Sequence, residues 1–131
     1  MAARIFLGLS ALVWLPYGIY CFLVPTSLAA AAGVAFSSAT GSTELRAMYG
    51  GLQAGIGLLA GLGVVRDSLR QPALVALAFL TGGLVSTRLL GAALDGGFSS
   101  YTKSAVVFEL TSVLVATVLA LRNPAIRPLR P

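Results

Sequence analysis

Glu109 lies in the run SAVVFELTSVLVATVLAL and is the one charged residue between Ser104 and Leu121. Arg88 is placed the same way in LTGGLVSTRLLGAAL. A carboxylate in such surroundings must be paired, hydrogen-bonded or protonated. Set beside an arginine, it offers two kinds of chemistry. It is a candidate acid or base whose strength the arginine tunes. It is equally a polar anchor for the head of a molecule whose tail lies against apolar walls. A third stretch, STELRAMYGGLQAGIG, adds Glu44, Arg46, Tyr49 and Gln53.

Other chemistries lack their residues. The chain has no histidine and a single cysteine, Cys21. Cys/His zinc sites, His-ligated haem and Ser-His-Asp triads are therefore excluded. No cofactor and no metal are expected. The glycines lack the lysine and the strand-to-helix setting of a phosphate loop. The basic residues are scattered between apolar runs without interleaved aromatics, so no nucleic acid is expected as a partner.

The elements that must position these residues follow from composition. The chain has 131 residues, of which 57% are hydrophobic and 10% charged. Soluble domains carry about 25% charged residues. A bilayer is the solvent that suits this surface. Four apolar segments, at about 5–24, 44–65, 73–94 and 102–121, can each cross about 30 Å of hydrocarbon as a helix. Helices satisfy their own backbone groups, which lipid cannot do. The expected fold is an all-α, integral membrane four-helix bundle forming one domain. The first segment is longer than the apolar core of a signal peptide and reads as a retained helix, with Pro16 as a kink site.

The positive-inside rule sets the orientation. A cytoplasmic N-terminus collects Arg4, Arg66, Arg70, Arg122, Arg127 and Arg130 on one side, leaving Lys103 and Arg46 on the other. Both termini are thus expected in the cytoplasm. Residues 122–131 read as a basic, proline-rich tail drawn to anionic headgroups. The hairpin RDSLRQP ends at Pro72, read as the start of the third helix, and Gly96 and Gly97 form the opposite turn. In the long connection 25–43, Thr26 or Ser27 can start a short interfacial helix that Gly33 ends.

Depth then becomes arithmetic. Arg88 precedes Asp95 by seven residues, roughly 10 Å along a helix, and Glu109 follows Lys103 by six, roughly 9 Å. The two lie at similar depth on neighbouring antiparallel helices, and a buried ion pair is expected. Arg46, Tyr49 and Gln53 share one helical stripe. Thr81, Arg88 and Asp95 share a second, and Ala105, Glu109, Ser112 and Ala116 a third. Trp14, Tyr17 and Cys21 share the stripe of the first helix. The expected site is an outward-facing polar pocket of Glu44, Arg46, Tyr49, Gln53, Arg88, Glu109 and Tyr17.

Structural roles compete at each position. Glu44 behind an N-cap Thr43 complements a helix dipole. Arg46 and Arg88 can snorkel. Tyr17, Tyr20 and Tyr49 suit an interfacial belt. Gln53 suits an interhelical hydrogen bond, and the pair itself can be purely structural. Gly51 with Gly55, and Gly57 with Gly61, have the GxxxG spacing of close helix contacts, and Gly83, Thr87 and Gly91 repeat the device.

The run ELRAMYGGLQAGIGLL from Glu44, with an arginine in the third span and a glutamate in the fourth, resembles the domain of unknown function 4345 family of small bacterial membrane proteins. In architecture the chain is also similar to the DoxX-like four-helix proteins. The resemblance implies a bacterial inner-membrane bundle and brings no activity. Three readings stand. The first is a pocket for a small amphiphile such as a lipid, quinone or isoprenoid, with membrane lipids as its surroundings. The second is an accessory subunit of a larger membrane complex, or a homo-oligomer, docked through glycine faces. The third is an isomerase of a lipophilic substrate with Glu109 as its acid/base group. Binding is read ahead of catalysis because no second acid/base group clearly accompanies Glu109.

Overall fold

The computed structural model describes residues 1–122; the expected tail at 123–131 lies outside the described residues. The helices are α1 (Ala2–Leu23), α2 (Ser27–Ala32), α3 (Ala39–Leu45), α4 (Leu52–Val65), α5 (Asp67–Asp95) and α6 (Ser100–Arg122). A π-helical turn, Arg46–Gly51, joins α3 to α4 without a break, making one helix of 27 residues. Four helices are therefore long and apolar enough to cross a membrane. Only 17–33% of each apolar window is buried. Leu12, Phe79, Leu94 and Leu121 are among the large apolar side chains facing outward. This is the surface of a multi-pass membrane protein.

Helix α1 packs along α4, α5 along α6, and α4 against α5, while α1 and α6 scarcely touch. Glycine makes the first of these contacts. A Cβ on Gly18 would lie 2.3 Å from the backbone nitrogen of Ala54, and one on Gly57 would lie 2.4 Å from that of Leu15. The backbones meet directly there, as small residues permit in lipid. Of the two expected GxxxG pairs, only Gly57 makes such a contact; Gly55 faces open space. Gly83 and Gly91 are open as well.

Two helix starts differ from expectation. The second long helix begins at Ala39. Ser38 is its N-cap, extended in backbone, with its hydroxyl accepting from the amide of Gly41 at 3.1 Å. Glu44 is thus inside the helix and loses its role beside the helix dipole. Helix α5 begins at Asp67, so Pro72 falls within it and the connection shrinks to the extended Arg66. Asp67 stands at the positive end of the helix dipole and accepts from Arg4 at 2.9 Å and from Arg70. These contacts outweigh the signal of the proline. Helix α1 runs on through Pro16.

Helix α2 stands where the sequence suggests. Gly33 ends it at φ +69°, where the amide of Gly33 donates to Ala29 and that of Val34 to Leu28. Thr26 precedes it without a side-chain cap. Leu28 is buried with Cys21 and Leu45, and Val34 and Phe36 pack against them. This cluster closes one end of the bundle. A larger core of Leu7, Ile56, Ala60, Leu74, Leu77 and Ala116 fills the other.

Candidate functional site

Between the two cores lies a cavity of about 520 Å³. Helix α5 contributes Leu84 and Arg88, and α6 contributes Tyr101, Ala105, Phe108 and Glu109. Val13, Trp14 and Tyr17 come from α1. Met48 and Tyr49 come from the π turn, and Leu52 and Gln53 from the head of α4. Val13, Met48, Leu52 and Phe108 are also exposed on the outer surface. The cavity therefore communicates with the surroundings of the bundle.

The ion pair expected from helix depth is present. Arg88 Nε donates to both carboxylate oxygens of Glu109, at 3.1 and 3.0 Å, and Nη2 donates to Oε1 at 2.7 Å. The Glu109 side chain is 4% exposed and that of Arg88 27%. Three charge-assisted bonds in a planar fork hold the carboxylate in one orientation. Tyr101 adds a ring 5.9 Å from the guanidinium carbon, within reach of a cation–π contact. Held by these bonds, Glu109 is a fixed acceptor in the wall of the cavity.

Gln53 is 7% exposed. Its Oε1 is fully buried and has no hydrogen-bond partner. The hydroxyls in the spans behave differently. Ser10 donates to Phe6, Thr81 to Leu77 and Thr111 to Val107, each to a carbonyl of its own helix. Ser27 Oγ and Arg70 Nε share the unpartnered state of Gln53 but lie outside the cavity.

The structure brings Tyr17, Tyr49, Gln53, Arg88 and Glu109 to one cavity. It does not bring Glu44 or Arg46 there. Glu44 is exposed on α3. Arg46 donates instead to the carbonyl of Phe22, with its guanidinium carbon 5.5 Å from the Phe22 ring. Phe22 lies in the last turn of α1, where carbonyls lack helical partners and attract cations. The π turn beginning at Arg46 holds an extra residue per turn, so Arg46 leaves the stripe it would share with Tyr49 and Gln53 in an α-helix. Tyr20 is exposed on the outer surface.

Tyr101 and Phe108 are the aromatic cavity residues that the stripes read from the sequence do not single out. The rings of Trp14 and Phe108 meet at 5.7 Å and 56°, a tilted pair. Tyr101 reads in sequence as part of a turn. Its place one and two turns before Ala105 and Glu109, on the same face of α6, is the signal that could have found it.

No curated protein and no solved structure matches the chain. A family model does match, over residues 2–120, which takes in the four long helices up to the last two residues of α6 and every residue of the cavity. This small multi-pass membrane protein therefore belongs to the family described as domain of unknown function DUF4345.

Proposed function

We propose that this protein holds one small amphiphile, a lipid, quinone or isoprenoid, inside the membrane. The head would lie at Arg88, Glu109 and Gln53, flanked by Tyr17 and Tyr49, with the tail along the apolar walls. One observation carries this reading: polar groups from α4, α5 and α6 converge in a cavity whose remaining wall is apolar and aromatic. Its volume suits a ligand pocket, which spans about 300–1,000 Å³. The exposed apolar side chains at its margin would admit a ligand sideways from the hydrocarbon.

The orientation we favour keeps both termini in the cytoplasm of a bacterial inner membrane, with the cavity nearer the outer face. Supporting it, Arg4 and Arg70 meet at Asp67 beside Arg66, at the end of the bundle away from α2. Lys103 lies at the other end. Labelling of single cysteines introduced at Arg66 and Ser99 checks this: the first should react only from the cytoplasm and the second only from outside.

Native mass spectrometry of the protein released gently from its own membrane tests the binding reading. The expected result is a reproducible small-molecule adduct that disappears in Ala105→Phe, whose ring fills the cavity from α6. A stoichiometric protein companion with no such adduct would remove this reading and make the chain an accessory subunit. The open faces of Gly55, Gly83 and Gly91 favour that second reading, because they offer unoccupied close-packing surface to another helix.

A further inference from the structure

The proposed amphiphile needs a head, and the lining of the cavity restricts what that head can be. Among the described residues that line it, the charged ones are Arg88 and Glu109, and each neutralises the other. Arg46, a cation the sequence suggests for the same site, is engaged at the end of α1. An anionic head placed against the guanidinium would also lie against the carboxylate of Glu109, and a cationic head would meet the reverse conflict. Low surrounding polarity enlarges both penalties. An uncharged head meets neither.

The amide of Gln53 adds a direction. Gln53 lines the cavity, while its Oε1 is buried against protein and lacks a donor. Ser10, Thr81, Thr87 and Thr111 donate to carbonyls of their own helices, and this acceptor differs from them. A buried polar atom calls for a partner. We infer that the cavity takes an amphiphile with an uncharged, hydroxyl-bearing head, and that Gln53 turns its amide into the cavity so that this hydroxyl donates to Oε1 beside the Arg88–Glu109 pair. The inference rests on the binding reading and narrows it. It selects alcohols and reduced, quinol-type molecules and turns away phosphorylated or carboxylate lipids. The rings of Trp14, Tyr49 and Phe108 suit an unsaturated or aromatic body next to that head.

The molecule carries its own reporter, since Trp14 is the one tryptophan in the chain and lines the cavity. The experiment titrates the full chain in phosphatidylcholine nanodiscs and follows tryptophan emission. Three ligands share one tail: farnesol, farnesyl methyl ether and farnesyl phosphate. A hydroquinone with a short isoprenoid tail serves as a fourth. We expect a saturable change with farnesol, the hydroquinone or both, which separates the alcohol and quinol sources. The ether, which cannot donate, should bind about tenfold more weakly than the alcohol. The phosphate should bind more weakly still. In Gln53→Leu the alcohol and the ether should bind alike. Where that variant does not fold, the comparison of ligands on the unsubstituted protein decides alone.

Equal binding of alcohol and ether would overturn the assigned hydrogen bond. Preference for the phosphate would overturn the uncharged head while leaving amphiphile binding in place. A native mass adduct lost in Ala105→Phe, found together with silence toward all four ligands, would likewise overturn the hydroxyl head alone. Silence together with no adduct would remove the binding reading itself.

Discussion

The two halves of the bundle solve the same problem differently. In the half beside Arg4 and Asp67, Leu7, Leu74 and Leu77 are 0–2% exposed, and among the described residues their core is apolar. In the half beside α2, the same helices carry aromatics, an amide and an ion pair around a cavity. Lipid offers little hydrophobic gain for bringing helices together, so contact must come from fit and from polar bonds. The first half uses fit. The second gives up fit for polar bonds, and its α1 and α6 are held together lightly. On the binding reading, stability and function are divided along the axis of one bundle rather than between domains.

That division can be broken most severely at the ion pair. Arg88→Leu leaves Glu109 buried without a partner and should cost about 3–5 kcal/mol. The double variant Arg88→Leu/Glu109→Leu should recover most of that loss, since apolar replacement of a buried pair is often tolerated. Thermal unfolding in detergent compares them. A double variant no better than the single would mean the pair has a structural role beyond charge neutralisation.

Leucine truncation sharpens the comparison. Leu74→Ala in the packed half should cost about 2–5 kcal/mol. Leu84→Ala, at a wall that already borders open space, should cost about 1 kcal/mol. Equal losses would show that the cavity half is packed as firmly as the other.

An intermediate effect is expected where α1 meets α4. Gly18→Ala forces α1 and α4 apart by the width of a methyl group and should cost about 1–3 kcal/mol. Crosslinking between cysteines on the two helices would report the separation. Smallest of all, a Cβ on Gly55 would meet nothing within 4 Å, and Gly55→Leu should leave the melting temperature of the isolated chain unchanged. If it releases a co-purifying protein, that open face is a docking surface.

The bundle is legible in the sequence because lipid imposes long apolar helices and charges mark their ends. The Arg88–Glu109 pair is legible because rise per residue fixes depth on straight helices. Tyr49 and Gln53 follow from the same periodicity. Arg46 does not, because its stripe assumes uniform α-helical turns, and Glu44 does not, because the helix starts at Ala39 rather than beside it. Helix α5 starts early because Asp67 is held by Arg4, a residue far away in the chain. The aromatic wall is hidden because Tyr101 and Phe108 resemble ordinary interfacial and lipid-facing residues until α1 and α6 are set opposite one another.

The π turn at Arg46–Gly51 gives the second long helix slack in its length. Each residue removed from a regular α-helix rotates its N-terminal part by about 100° relative to its C-terminal part. A π turn already holds one residue more than an α turn of the same rotation. Deleting Ala47 alone would therefore let the turn close as an ordinary helix and leave α3 in phase. Arg46 would stay near the last carbonyls of α1, and Leu45 beside Cys21 and Leu28. Deleting Leu58 from the regular turns of α4 would instead swing α3 around its axis and undo both contacts. A gap of one residue in a homologous chain is thus expected at this turn before anywhere else in the helix.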